Sequence, residues 1–197
     1  RVIVPVGGDE SGRRLVGELK QAGCDISRVA QSKGATARNL IRSHEVSPGT
    51  FYKDFALDLG ACRGWNFRRH LRRQDYKVRV FHLGGIELTV KDDADARRLA
   101  QDVLYVLKRA KRNGAITVVD TVNSSYPFRH YATDELYQQI DVIKPGLGEA
   151  RAIWSIESPE GIVRYLLERD VGAVFLTMDK EGSIIAANEN SIFGKLE

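Results

Sequence analysis

Glycines, carboxylates or both stand at four places in the chain, each directly after an apolar run: Gly84-Gly85, Asp120, Lys144-Pro-Gly-Leu-Gly-Glu149, and Thr177 to Gly182. Glycine lets backbone N–H groups approach a ligand closely, and a helix starting at the same point adds unpaired amides and a dipole. The guest such a rim receives best is a phosphate. Asp120, Glu149 and Asp179 add hard oxygen donors beside it, the type Mg²⁺ accepts directly or through retained waters. The same residues also suit plain structural work, with Gly84, Gly85, Gly146 and Gly148 as strand and helix caps, Asp120 as a turn cap, and Glu149 as a first-turn acid favoured by the helix dipole. Other chemistries lack their parts: there is no Gly-x-x-x-x-Gly-Lys-Ser/Thr loop, no Gly-x-Gly-x-x-Gly fingerprint and no nucleophile elbow, and His44, His70, His82 and His130 are dispersed.

The elements that must position these residues alternate. Val2 to Val6 reads as a strand, Gly7 to Gly12 as a turn, and Leu15, Leu19 and Ala22 as the apolar face of a helix that Gly23 stops. Residues 35–45 read as an extended excursion, and residues 47–75, with Pro48-Gly49, two aromatic pairs and many arginines, as an irregular insertion. Beyond them the pattern is regular. Val78 to Leu83 is a buried strand, and a helix follows whose caps fall in Lys91 to Asp93 and whose core face is Leu99, Val103, Val106, Leu107 and Ala110. Ala115 to Val119 is a β-branched strand. Ile140 to Ile143 is another, with a helix through Ala150 and Trp154. A helix over Ile162 to Leu167 delivers the strand Ala173 to Thr177, and Gly182 to Ala186 is its hairpin partner. Strand–helix–strand order implies right-handed crossovers, a mainly parallel sheet and a ligand beyond the strands' carboxyl ends.

Composition agrees with a single α/β domain over residues 1–197: 43% of residues are hydrophobic and 28% charged, with 30 Lys and Arg against 26 Asp and Glu. No apolar run approaches the ~18 to 20 residues of a membrane span. Cys24 and Cys62 cannot build a disulfide framework and have no ligand spacing for zinc, which leads us to expect a cytoplasmic protein. The chain starts at Arg1 and has no recognisable ending, so we expect it to be incomplete at both ends. Arg63, Arg68, Arg69, Arg72, Arg73, Lys77 and Arg79 face only Asp75, so this stretch carries +6 in a chain of net +4. With Trp65 and Phe67 interleaved it could hold nucleic acid, but no nucleic-acid module surrounds it, and a solvated face is the expectation.

The order of motifs resembles the ribokinase-like carbohydrate kinases, the PfkB family. Val6-Gly-Gly-Asp-Glu-Ser-Gly12 is similar to that family's Val-Gly-x-Asp-x-x-Gly turn. Phe81-His-Leu-Gly-Gly-Ile86, Val118-Val-Asp-Thr-Val122, Asp141-Val-Ile-Lys-Pro-Gly-Leu-Gly-Glu-Ala150 and Val174-Phe-Leu-Thr-Met-Asp-Lys-Glu-Gly182 follow in the family's order. The resemblance implies a three-layer sandwich around a mainly parallel sheet, with residues 35–45 in a small β lid that covers the sugar and can pair two subunits. It implies transfer of the γ-phosphoryl group of ATP to a hydroxyl of a sugar or sugar-like alcohol, with Mg²⁺.

Carried over residue by residue, the resemblance assigns Glu149 to metal organisation, with Gly146 standing where the family's Asn-x-x-Glu motif has Asn. Thr177 and Gly182 match the nucleotide-contacting Thr-x-Gly-x-x-Gly segment, and Asp179 replaces its middle glycine. Asp120, Arg129, Gly146 and Gly148 fall near the phosphates, and the Gly84-Gly85 edge faces the substrate. The family's Gly-Ala-Gly-Asp signature, which carries the catalytic base, does not occur, so no base is assigned in this chain. A noncatalytic nucleotide- or metabolite-binding member of the same fold is the alternative, and an RNA-associated protein using Arg63 to Arg79 is a further one.

Overall fold

A computed structural model describes the chain except for residues 48, 49, 64, 86–92, 123–131, 190 and 192–197. Where the sequence leads us to expect one domain, the chain divides into two compact units, Arg1–Leu71 and Arg72–Glu197.

In the first unit a strand β1 (Pro5–Val6) leads into helix α1 (Glu10–Gln21) and then into β2 (Ala30–Gln31), which runs parallel to β1. The expected strand from Val2 is shorter than its apolar pattern because its partner is short. The bonds that flank the ladder are Ala30 N–H on Val4 O and Ser32 N–H on Val6 O. Asp9 caps α1 by accepting the Gly12 N–H at 3.0 Å. Gly7 and Gly12 answer to close approach, since a Cβ on Gly7 would lie 2.5 Å from Gly34 O and one on Gly12 would lie 2.2 Å from Gly7 O. The Val-Gly-x-Asp-x-x-Gly pattern is thus a packing signature as well as a sequence one.

The stretch expected to be irregular is ordered at its front. Strand β3 (Arg38–Ser47) pairs antiparallel with β4 (Thr50–Asp58), in register from Arg38 opposite Asp58 to Glu45 opposite Phe51, with a shift before Ser47 opposite Thr50. This corrects the reading of residues 47–75 and extends that of 35–45. Thr50 to Asp58 carries Phe51, Tyr52 and Phe55, residue types that favour strands, and the arginines that follow drew the reading away from them. Beyond β4 the described residues of this unit form short turns: a 3₁₀ turn at Gly60–Cys62 and helix α2 (Phe67–His70), capped by Asn66.

The second unit opens with a 3₁₀ turn at Arg73–Tyr76 and builds a five-stranded sheet. Its order is β5 (Val80–Gly84), β6 (Ile116–Asp120), β7 (Val142–Lys144), β8 (Ala173–Thr177), β9 (Ser183–Ala187), all parallel except β9. The crossovers are α3 (Asp93–Arg112), the short α4 (Asp134–Tyr137), and the pair α5 (Leu147–Trp154) and α6 (Pro159–Leu167). Lys91 and Asp92, two of the expected caps of α3, lie outside the described residues. Every crossover steps the same way along the sheet, so right-handed connections put these helices on one face. Leu83, Val119, Ile143 and Val174 lie side by side in register on the buried face, where α3 contributes Leu99, Val103, Val106, Leu107 and Ala110. Each of these valines, leucines and isoleucines is worth roughly 1.5–3 kcal/mol when fully buried. Trp154 Nε1–H donates to the buried Tyr137 hydroxyl at 2.8 Å, tying α5 to α4, and burial pushes that phenol above its ordinary range.

Candidate active site

Sheet register places the predicted residues. Gly84 lies opposite Asp120, Asp120 opposite Lys144, and a single parallel bridge joins Gly146 to Thr177. Four strand ends therefore present Gly84, Asp120, Lys144-Pro-Gly146 and Thr177 along one rim of the second unit. A Cβ on Gly84 would lie 3.3 Å from Asp120 Cβ, so the smallest residue stands where two loops crowd. Gly85 follows with φ of 68°, the left-handed region glycine occupies freely.

Glu149 is the hinge of the rim. It sits in the first turn of α5, where its Oε2 accepts the Gly146 N–H at 3.1 Å and the Thr121 hydroxyl at 3.2 Å. One carboxylate thereby fixes the helix start against the loop that leaves β6, and Thr121 is buried beneath it. Sequence reasoning missed Thr121; its signal was a hydroxyl residue directly after a strand-end Asp. It also gave Lys144 no role. Lys144 Nζ reaches Asp120 Oδ1 at 3.1 Å, a half-exposed pair worth at most about 1 kcal/mol in itself. Its interest is chemical: an ammonium held beside a carboxylate is a cation that a phosphate could recruit.

Gly146 has φ −79° and ψ 149°, a backbone any residue adopts, and a Cβ there would make only ordinary contact with Glu149 Oε2 at 3.5 Å. Glycine is not demanded by the chain at this point. Gly148 is exposed in the first turn of α5 with open space around it. Thr177 N–H donates to Pro145 O at 3.0 Å, which locks β8 to the loop after β7. The next loop closes on itself, Met178 N–H donating to Gly182 O at 2.8 Å. Inside it Asp179 takes φ of 48°, a left-handed conformation in which a side chain is strained, and Gly182 takes φ of 94°. Asp179 is exposed and is not part of the rim's bonding network. Arg129 lies outside the described residues.

The donor set admits a metal in one way only. Among the described residues no cluster of three or more His, Cys, Asp or Glu forms a protein cage. Asp120 and Glu149 each commit one oxygen to protein donors, so a Mg²⁺ here would be held by one or two carboxylates, by water and by the phosphates of its own ligand, the coordination that ion tolerates well.

The first unit has its own polar knot. Asp9 accepts from the Thr36 hydroxyl at 2.5 Å, the Thr36 N–H at 3.1 Å and the Gly12 N–H, while Thr36 Oγ1 accepts the Gly7 N–H at 3.0 Å. The Thr36 hydroxyl, with those amides, holds the Asp9 carboxyl down to about 2. The knot pins the start of α1 to the approach to β3.

Glycines, an Asp–Lys pair and a carboxylate-capped helix start thus line the carboxyl rim, the edge at which open α/β sheets receive their ligands. Comparison with known sequences specifies it. The pattern of the pfkB family carbohydrate kinases matches residues 1–194, and the chain belongs to that family. It is similar to the 2-dehydro-3-deoxygluconokinase of Bacillus subtilis, 25% identical over 199 residues, which cover 90% of this chain and 55% of the relative. It is also similar to the ATP-dependent 6-phosphofructokinase of Thermoanaerobacterium thermosaccharolyticum, at 22% identity over 97% of this chain and 58% of the relative. The chain thus spans little more than half the length of these relatives. In fold it is similar to Arabidopsis thaliana ribokinase complexed with ribose and ATP, with a TM-score of 0.68 at 15% identity over 96% of this chain and 58% of that one. Its architecture is therefore the ribokinase-like α/β fold. Among the described residues no helix is long and apolar enough to cross a membrane.

Proposed function

We propose that this chain carries the nucleotide rim of an ATP-dependent carbohydrate kinase that phosphorylates a hydroxyl of a sugar or sugar-like substrate in the cytoplasm. The observation that carries the reading is the convergence of Gly84, Asp120, Lys144, Gly146 and Thr177 at adjacent carboxyl ends, with Glu149 bracing the helix start among them. In this reading the glycine amides and Lys144 take the phosphates, and Glu149 and Asp120 organise Mg²⁺ through water. Thr177, Asp179 and Gly182 border the nucleotide, with Arg129 and Gly148 beside the phosphates and the Gly84-Gly85 edge toward the sugar. The metal supplies charge neutralisation on the transferred group; the chain supplies positioning. The hairpin of β3 and β4, which exposes Leu40 and Ile41, serves as the lid and as the contact of a homodimer.

The test is a thermal-shift titration with ATP, with and without Mg²⁺, followed by a coupled phosphotransfer assay across a panel of sugars. A nucleotide at 100 times its Kd raises stability by about 2.7 kcal/mol, so a shift of several degrees is expected. No shift with any nucleotide would sink the reading. A specific observation favours a second one: Gly146 offers no side chain to a metal, and Asp179 turns a strained, charged residue toward solvent in the nucleotide loop. A noncatalytic nucleotide-binding protein predicts the shift without phosphotransfer to any sugar.

A further inference from the structure

The opposite rim of the same sheet has a different chemistry. At the amino-terminal ends of β5 and β6 the chain brings together two basic segments of the second unit. Arg79 O accepts the Ile116 N–H at 2.9 Å, joining the approach of β5 to the start of β6, which itself follows the end of α3 after a tight turn at Gly114. The Arg109 guanidinium lies 5.2 Å over the Tyr76 ring, and Tyr76 stacks on Phe81 of β5 at 5.8 Å. Arg72, Arg73, Lys77 and Arg79 therefore share one end of the unit with Arg109 and Arg112.

The charge there is one-sided. The sole acid of the segment, Asp75, is 4% exposed and its Oδ2 accepts the Arg72 N–H at 2.7 Å, so it faces inward. Among the described residues the side chains of Arg72, Arg73, Lys77, Arg79 and Arg112 are exposed and make no ion pair. Nearby cations are spent differently: Lys111 pairs with Asp141 at 3.0 Å and Lys108 pairs with Glu135. The solvated face expected from sequence has its counter-charge folded away and gains two arginines from a distant helix end.

We propose that this rim is a nucleic-acid-binding surface that takes the phosphodiester backbone of RNA. Five of its six cations are arginine, whose planar fork matches a pair of phosphate oxygens better than an ammonium does. Tyr76 is buried beneath Arg109, and the part-exposed Tyr105 is tied to the same guanidinium, its hydroxyl accepting the Arg109 Nη1–H at 2.9 Å, so both rings serve to orient an arginine rather than to anchor a protein interface or stack bases. Recognition is therefore of backbone charge and indifferent to sequence.

The experiment is fluorescence anisotropy with a labelled 20-nucleotide mixed-sequence RNA, on the full chain, between 50 and 300 mM KCl. Four to six phosphate contacts give a slope of log affinity on log salt of about −3 to −4, at roughly 0.7 per contact, with Kd on the order of 10⁻⁶ to 10⁻⁴ M near physiological salt. The triple variant Arg73→Ala, Arg79→Ala, Arg112→Ala loses at least about tenfold in affinity and about 2 in slope, with an unchanged melting temperature. The matching lysine variant keeps the slope. Replacing the ion-paired Arg14, Arg97 and Arg98 by Ala leaves binding as it was. The proposal is overturned by absence of saturable binding at 50 mM KCl, by an unaltered slope in the triple alanine variant or a lost slope in the lysine variant. Polyglutamate competing as well per charge would reassign the surface to an acidic protein, and loss of RNA binding in Lys144→Ala would move the site to the other rim.

Discussion

The two rims of one parallel sheet differ in how their charges are satisfied. Among the described residues, the charged groups at the carboxyl ends of β6 and β7 and at the start of α5 have protein partners: Lys144 holds Asp120, and Glu149 holds Thr121 and the Gly146 amide. At the amino rim arginines stand exposed and the one carboxylate in their segment is buried. A rim that must bind a compact ligand benefits from preorganised groups, whereas a rim of unpaired cations binds through counterion release.

Exchanging their charge character breaks the comparison most sharply. Arg73→Glu, Arg79→Glu and Arg112→Glu together are expected to lower RNA affinity on the order of 10²-fold or more at 50 mM KCl while leaving the thermal shift by ATP intact; a loss of both readouts would mean that the rims are not independent. Next in size is Glu149→Ala, which leaves the buried Thr121 hydroxyl and the Gly146 amide without their acceptor. A loss of about 1–3 kcal/mol in urea unfolding and a weaker response to ATP with Mg²⁺ are expected, and an unchanged midpoint would show that the carboxylate braces nothing. Asp179→Gly relaxes a left-handed residue and removes a negative charge from the nucleotide loop. A gain of about 0.5–1 kcal/mol by the same measurement is expected, with no change at the amino rim. Gly146→Asn, which the backbone accommodates, is expected to strengthen the Mg²⁺-dependent part of ATP binding a fewfold, as read by calorimetry with and without the metal.

The smallest effect lies in the first unit. Asp9 is held down to about 2 from the ordinary 3.8, so its bonds stabilise the fold fully above about pH 4 and are lost as pH falls toward 2. Thr36→Val, which removes the largest cause of the shift, is expected to flatten the dependence of the urea midpoint on pH across that window. An equally steep curve would place the acid sensitivity elsewhere.

Much of this was legible in the residues. Leu99, Val103, Val106, Leu107 and Ala110 recur at helical spacing and all are buried on α3, and the β-branched run ending at Asp120 is β6, because burial of one face leaves a period in the sequence. The hairpin partner Thr50–Asp58 was hidden, since a long antiparallel pair is decided by its cross-strand neighbours and the arginines beyond it drew the reading toward an irregular insertion. At the carboxyl rim the glycines and acids could be listed from sequence, but the Lys144–Asp120 and Glu149–Thr121 contacts could not, because their members stand 24 and 28 residues apart. At the amino rim the sequence set Asp75 against its basic neighbours, and only burial shows that it does not share their surface.

By itself the sequence determined the alternation of strand and helix, the apolar faces and the glycines at strand ends, all of which are local in the chain and follow from periodicity and backbone freedom. Only the tertiary structure decided which strand ends lie side by side, which acid meets which cation, and that Arg109 and Arg112 join the segment at Arg79. Register and burial are properties of pairs remote in the chain, and no local pattern of residue types encodes their meeting.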